Sequence, residues 1–247
     1  MSYRIVVDSC CDLTAAQLAD PHFVRVPLSI LLDGQTFVGD AALDQSRLLW
    51  QMRNSPNAPS TACPSPQQYL DAFDCGVEDV YVVCLSAMLS GSHNSAEQGR
   101  LLLLEEKPHV HVHVFNSCSA SAGEMLVALK IQELAEQGLP FQQVVRRTEQ
   151  YIYEMNTYFV LESLDNLRKN GRLTKLQSIV TSTLRIKLLM GATPEGEICK
   201  KGQALSVKQA LGKMVELISS DEGHRGRLLA ISHCNCLDRA FYLKDLL

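Results

Sequence analysis

Three short apolar segments constrain the fold of this chain most strongly, because a polar loop and then a helical pattern follow each of them. The segments are Ile5–Val7, Asp79–Leu85 and His109–Phe115. The first two are continuous apolar runs, which are typical of strands that are buried on both faces, whereas histidine and valine alternate in the third. Three strand-loop-helix units in succession predict a parallel, Rossmann-like sheet with helices on both faces.

Between the first two units the chain carries turn signals. Asp33-Gly34 is a pair favoured in hairpins, and it separates the apolar residues of Phe23–Leu32 from those of Thr36–Val38. The segment Asn54–Ser65 contains closely spaced prolines and predicts a loop.

The pattern changes near Asn156, where shorter elements begin. They are predicted as a strand at Thr157–Leu161, a helix at Leu164–Asn170, a strand at Ile186–Met190, a helix at Val207–Ile218 and a strand at Leu228–Ser232. The sequence therefore predicts an α/β protein of two domains. Residues 1–156 form the parallel-sheet domain, and residues 157–247 form a smaller α+β domain.

Composition excludes several classes of protein. The 247 residues are 46% hydrophobic and 20% charged, with a net charge of −4, which is unlike a general nucleic-acid binder. No apolar run approaches the ~18 residues of a transmembrane helix, and the first residues lack the pattern of a signal peptide. We therefore expect a cytoplasmic protein whose nine cysteines are reduced, without a C-x-x-C redox or zinc motif.

The strongest candidate for chemistry is Ser90-Gly91-Ser92, which follows a predicted buried strand and begins a helix. The start of a helix offers unpaired N–H groups and the positive end of the helix dipole, so it favours an anion. Gly91 allows close approach to the backbone, and the two serines add hydroxyl donors. A carboxylate or phosphate would fit there; alternatively, Ser92 caps the helix and binds nothing.

Other polar residues are expected near the same crevice. Thr61 lies in the proline-rich loop, and the turn after the third strand contains Asn116, Ser117 and Ser119. Ordinary turn chemistry is the alternative for each of them. Arg172 belongs to a basic cluster and could bind an anion bidentately, although a solvated face is the usual explanation of such clusters.

Two other chemistries remain as alternatives. A serine-based acyl hydrolase would use Ser90, but the chain has no G-x-S-x-G motif, and His93 is expected on the same helical turn. A metal-binding or regulatory module would use the alternating His109, His111 and His113, which share one face of a strand. His233, Cys234 and Cys236 form a weaker candidate cluster. We expect neither a metal nor a cofactor, since nucleotide-binding glycine motifs are also missing.

Several motifs, in order along the chain, resemble those of the DegV family. They are Asp8-Ser9-Cys10-Cys11-Asp12-Leu13, Thr61-Ala62-Cys63-Pro64-Ser65, Ser90-Gly91-Ser92, Asn116-Ser117 with Gly123, and Leu164 to Leu173 with Gly171-Arg172. The resemblance implies two α/β domains that hold one long-chain fatty acid, such as palmitate or oleate, between them. It also implies an acyl-carrying component of a two-part fatty acid kinase, which is not an enzyme alone.

By the same resemblance, Thr61, Ser90 and Gly91 would hold the carboxylate, and Arg172 would face the carboxylate or the nascent acyl phosphate. Ser92 is expected as a further donor because of its place at the helix start. The implied partners are the fatty acid, a separate ATP-dependent kinase and, transiently, a membrane surface.

Some positions depart from the family pattern. Asn116 replaces an aspartate, Asn170 replaces a glycine, and Leu205 stands near the place of an arginine in kinase-linked members. Family members also continue beyond Leu247 with a closing strand, so we expect an exposed sheet edge in the second domain.

Overall fold

The computed structural model describes residues 2–173, 186–221, 223 and 225–247. The chain divides into two compact units, Met1–Met155 and Asn156–Leu247, which are described separately below.

A four-stranded parallel sheet forms the centre of the first unit. Its strands are β1 (Tyr3–Asp8), β2 (Phe23–Val26), β6 (Asp79–Cys84) and β7 (His111–Asn116), in the spatial order β2-β1-β6-β7. Ile5 lies opposite Phe23 on one side and Tyr81 on the other, and every neighbouring pair is parallel. The parallel sheet predicted from the three apolar segments is confirmed.

Helices cover both faces of this sheet. They are α1 (Ala15–Ala19), α3 (Pro66–Phe73), α4 (Ser92–Glu106), α5 (Ala122–Glu136) and α6 (Phe141–Glu154). Side chains of a strand alternate between faces. Val82 therefore packs in the same core as Tyr69 and Leu103, whereas Val83 packs in the core that contains Ile131 and Val144.

A small antiparallel sheet interrupts this alternation. Its strands are β3 (Ser29–Leu32), β4 (Gln35–Val38) and β5 (Ser60–Ala62), in the spatial order β4-β3-β5. Helix α2 (Gln45–Asn54) lies between β4 and β5 in the chain. The predicted hairpin turn is present, with positive φ at Asp33 and Gly34. The loop predicted over Asn54–Ser65 is wrong for three residues. Thr61 lies on β5 opposite Ile30, because β3 supplies backbone partners that proline spacing alone does not reveal.

The second unit is built on a three-stranded antiparallel sheet. Its elements are β8 (Tyr158–Val160), α7 (Asp165–Lys169), β9 (Lys187–Ala192), β10 (Ile198–Ala204), α8 (Val207–Ser220) and α9 (Leu237–Leu246). The spatial order is β10-β9-β8, and within the described residues no further strand pairs with either outer edge. Leu189, Leu211, Met214 and Leu243 form its largest buried cluster.

Three sequence predictions for this unit need correction. β10 was missed, because a bulge between Lys200 and Gly202 breaks its alternation. The strand predicted at Leu228–Ser232 is wrong, since Leu228 and Leu229 are exposed and no strand of the described residues pairs with that segment. Helix α9 was also missed.

None of the helices in the described part of the chain has the length and apolar character that crossing a membrane would require.

Candidate functional site

Most of the polar residues predicted for the site lie in the loops that follow β1, β6 and β7, whereas Thr61 lies on β5 and Arg172 in the second unit. Parallel strands bring their carboxyl ends to one edge of a sheet, and this is the edge at which such sheets bind ligands. Asp8 is the last residue of β1, Cys84 ends β6 and Asn116 ends β7. The loops that follow these three strands form the candidate site.

Asp8 connects two of these loops through a fully buried carboxylate. Its Oδ1 accepts the Cys10 N–H at 3.0 Å, and its Oδ2 accepts the Leu85 N–H at 3.0 Å and the Ser92 hydroxyl at 2.8 Å. Burial raises the pKa of Asp8, and the hydrogen bonds from these groups oppose that rise. Asp8 therefore fastens the end of β6 and the start of α4 to the end of β1.

Ser92 is turned toward the interior and is fully buried. Its hydroxyl lies 2.6 Å from the Tyr69 hydroxyl in addition to its bond to Asp8. With Ser92 donating to Asp8, the Tyr69 hydroxyl is the donor to Ser92. The Ser92 hydroxyl therefore has no proton left for the ligand contact expected from the sequence, and it fixes the start of α4 instead.

Close helix packing brings Tyr69 to this position. A Cβ placed on Gly99 of α4 would lie 2.8 Å from the Pro66 carbonyl oxygen and 3.0 Å from the Tyr69 Cβ, both in α3. Only glycine allows α3 and α4 to approach so closely, because any larger residue would push the two helices apart.

Ser90 and Gly91 lie on the outer side of the same helix start. Gly91 is the exposed N-cap residue, and Ser90 is half-buried, with its Oγ accepting the Ser92 N–H at 3.2 Å. Among the described residues, the N–H groups of Gly91 and His93 find no protein acceptor. The 15-residue helix α4 therefore presents backbone donors and its positive end to the outside.

The loop that contains Thr61 borders this helix start. A Cβ on Gly91 would lie 3.3 Å from the Cys63 Sγ, and that sulfur is 3.8 Å from the Ser95 hydroxyl. Thr61 itself is exposed on β5. The structure thus brings the segment Thr61–Cys63 close to Gly91, within the first unit.

The turn after β7 supports the site from inside. The Asn116 Oδ1 accepts the N–H groups of Ala87 and Cys118, both at 3.1 Å, so an amide oxygen provides the acceptor that an aspartate would provide. Ser117 is buried and bonds to the backbone of Ser119, whose carbonyl accepts the Ser86 N–H at 2.8 Å. Asn116, Ser117 and Ser119 therefore hold the loop that leads to Ser90.

Gly123 completes this turn by its lack of a side chain. A Cβ there would lie 2.0 Å from the Ser119 Oγ and 2.7 Å from the Ser119 Cβ. Such distances are far below van der Waals contact. Only glycine therefore fits at position 123 of this turn.

Arg172 belongs to the second unit and follows the end of α7. The Gly171 N–H donates to the Arg168 carbonyl and the Arg172 N–H to the Leu167 carbonyl, the hydrogen-bond pattern of a Schellman cap. Gly171 has φ +74°, whereas Asn170 has φ −90°, which any residue adopts. The replacement of glycine by Asn170 is therefore conformationally harmless. The Arg172 Nη1 donates to the Asn170 carbonyl at 2.6 Å.

The alternative chemistries find little support in the geometry. His111 and His113 do have carboxylate partners, which the sequence did not suggest: Asp79 at 2.9 Å and Glu149 at 3.2 Å. His109 lies in the turn before β7, so the prediction that it shares a strand face with His111 and His113 is wrong. Neither these three histidines nor His233, Cys234 and Cys236 converge on a three-ligand cluster within the described chain. The Ser90 hydroxyl accepts a backbone N–H, and no bond from it to a histidine ring occurs in that part of the chain.

One buried residue of the site was missed entirely by sequence reasoning. Glu124 is fully buried in the first turn of α5, and its Oε1 accepts the Ser121 N–H at 3.2 Å. The available signal was a charged residue directly before the apolar stretch from Met125 to Leu129. That signal is weak, because a glutamate in the first turn of a helix usually caps the helix and remains exposed.

The fold and this site define a two-unit α/β protein in which an open helix start lies at the carboxyl edge of a parallel sheet. The family model described as "Uncharacterised protein, DegV family" matches residues 2–247, and the chain belongs to the DegV family. A DegV domain-containing protein of Streptococcus pyogenes serotype M1 is 36% identical over 235 residues, which cover 94% of this chain and 83% of that protein.

Solved structures agree with this assignment. A DegV family protein of Ruminococcus gnavus, refined with vaccenic acid, is 46% identical with a TM-score of 0.95, over 100% of this chain and 88% of that one. The Streptococcus pneumoniae Fatty Acid Kinase (Fak) B3 protein, loaded with linoleic acid, is 37% identical with a TM-score of 0.82, over 89% of this chain and 78% of that one.

Proposed function

We propose that this protein binds one long-chain fatty acid with its carboxylate at the start of α4, and that it presents the carboxylate to a separate ATP-dependent kinase. The observation that carries the proposal is the exposed Gly91, whose N–H has no acceptor among the described residues at the positive end of a 15-residue helix. Thr61 and Ser90 are the flanking hydroxyl donors.

Physical chemistry favours an anion with an apolar tail. Backbone donors at a helix start bind a carboxylate without needing a side-chain cation. The tail supplies most of the free energy, at ~0.8 kcal/mol per buried CH₂, or roughly 10 kcal/mol for a long chain before the costs of binding. The head group therefore sets orientation more than affinity.

The relatives support the ligand class and the partner. The Ruminococcus gnavus protein was refined with vaccenic acid, and a DegV family protein of Eubacterium eligens, 30% identical with a TM-score of 0.91, was loaded with heptadecanoic acid. The Fak B3 protein is named as part of a fatty acid kinase. In our proposal the chain is not an enzyme alone and needs no cofactor. It acts in the cytoplasm and meets membrane surfaces only transiently.

Arg172 is assigned a role in the step that adds phosphate to the bound carboxylate. Its guanidinium can pair bidentately with a carboxylate or an acyl phosphate. We propose that it contacts the head group as the phosphate is added, so Arg172→Ala should slow acyl phosphate formation more than it weakens fatty acid binding.

The head site can be tested with one double variant. Thr61→Ala/Ser90→Ala should weaken binding of oleate roughly tenfold, since two hydroxyl donors at ~0.5–1.5 kcal/mol each are removed. The matched control is Thr36→Ala/Ser46→Ala, two exposed hydroxyl residues in the same unit. Unchanged affinity of the first variant, measured by calorimetry with unchanged circular dichroism, would exclude this head site.

A further inference from the structure

A pair of buried carboxyl groups lies beneath the start of α4. Oxygen atoms of Asp8 and Glu124 and the sulfur of Cys10 all lie within 4.8 Å of one another, the one such cluster of three acidic, thiol or imidazole residues in the part of the chain described. Asp8 comes from the end of β1 and Glu124 from the first turn of α5.

The hydrogen-bond donors are divided unequally between the two carboxyl groups. Asp8 accepts three N–H or O–H groups, whereas Glu124 accepts one N–H, at Oε1, and the weaker hydrogen bond of the Cys10 thiol. The Glu124 Oε2 is buried and has no donor within the described residues. A buried carboxylate oxygen without a donor is costly, and a second negative charge beside it adds to that cost.

The surroundings do not supply a compensating charge. Among the described residues, neither carboxyl group forms an ion pair with a lysine, arginine or histidine. The titratable groups that face the pair are Cys10 and Cys11 after β1, Tyr69 on α3 and Cys84 on β6. The charges of Asp12 and Arg25 act on the pKa of Cys11, in opposite directions. Burial raises the pKa of each of these thiols and of the Tyr69 phenol, so all four are neutral near pH 7.

We infer that Glu124 is a neutral carboxylic acid at neutral pH and donates its proton from Oε2 to the Asp8 carboxylate. The pair then holds a single negative charge, and the buried Glu124 Oε2 is no longer without a hydrogen-bond partner. Burial raises the pKa of Glu124 well above its ordinary range, and the neighbouring Asp8 charge raises it further.

This proton makes Glu124 a positioning residue for the head site, a role that rests on the function proposed above. Asp8 orients the Ser92 hydroxyl and the Leu85 N–H, which border the loop that contains Ser90 and Gly91. Loss of the Glu124 proton would place two charges side by side in the interior and would strain that loop.

A metal ion is the competing explanation of such a cluster. Both Asp8 oxygens are already engaged by three donors, and the Cys10 sulfur interacts with the Ser121 backbone and with Glu124, which leaves the Glu124 Oε2 as the open position. The donor set therefore favours a proton over a metal ion, which would require further ligands.

Infrared spectroscopy of the ligand-free protein tests the protonation directly. At pH 7 the wild type should show the carbonyl stretch of a protonated carboxylic acid, and Glu124→Gln should lack it. The control variant Glu136→Gln changes an exposed glutamate of the same helix and should retain the band. A missing band in the wild type, a band that survives Glu124→Gln, or one bound metal per chain that Glu124→Gln abolishes would overturn the inference.

Binding as a function of pH tests the positioning role. Between pH 7 and 10 the affinity of the wild type for oleate should fall about tenfold relative to that of Glu124→Gln, which keeps a neutral donor. The ratio cancels the titration of the ligand itself. Glu124→Leu, which has no donor, should bind less tightly than Glu124→Gln at pH 7.

Identical pH profiles of the wild type and Glu124→Gln would overturn the positioning role. Absence of oleate binding in every variant at every pH would overturn the proposed function, and the positioning role with it. The infrared band would then still decide whether Glu124 carries the proton.

Discussion

At the residue scale, a few side chains hold together parts of the sequence that are far apart. Asp8 bonds to Leu85 and Ser92, which are 77 and 84 positions away. Ser90 and Gly91 could be identified from the sequence because a helix start is a local feature. The inward direction of Ser92 could not be predicted, since it depends on Asp8 and Tyr69, and neither partner is marked by sequence spacing.

Glu124 also controls how stability depends on pH. Its pKa in the folded protein is raised by burial, so stability is lost as the pH rises above the unfolded value of about 4.3 and through the folded value. The wild type should therefore lose free energy of unfolding relative to Glu124→Gln with rising pH, by up to about 1.4 kcal/mol per pH unit. Urea unfolding from pH 4 to 8 measures this, and a pH-independent difference would contradict it.

Two glycines should respond to alanine in opposite directions. Gly123→Ala should lower the free energy of unfolding by about 2 kcal/mol, because the new Cβ collides with Ser119. Gly212→Ala, inside α8 with nothing within 4 Å of the new Cβ, should raise stability by up to about 1 kcal/mol. Denaturant unfolding compares the pair, and equal effects would contradict the packing described here.

At the element scale, sequence patterns predicted the strands that have a regular apolar pattern and missed those that lack one. The strands β1 and β6 were predicted because their apolar runs are continuous, and β7 was predicted because valines recur at every second position. Strands β5 and β10 were missed, because one depends on the distant β3 and the other contains a bulge. Leu228–Ser232 has the composition of a strand, but in the part of the chain that the structure describes no strand pairs with it.

The cap of α7 gives a prediction at this scale. Gly171→Ala should lower the free energy of unfolding by about 1 kcal/mol, since φ is +74° there. Asn170→Gly should change it by no more than a few tenths, because φ at Asn170 is −90°. Equal losses in thermal unfolding of the two variants would contradict the assignment of the left-handed position to Gly171.

At the scale of the whole molecule, two exposed cysteines report where a ligand binds. Cys63 borders Gly91 in the first unit, and Cys234 lies in the second. Saturating oleate should slow alkylation of Cys63 about tenfold and leave Cys234 unchanged, as peptide mass spectrometry after timed labelling would measure. Equal rates at Cys63 with and without oleate would place the head group elsewhere.

The most direct test of the central claim is native mass spectrometry of the freshly purified protein, followed by solvent extraction and lipid analysis. We expect one bound fatty acid per chain. A protein that is empty, and that also fails to bind added oleate or palmitate, would contradict it.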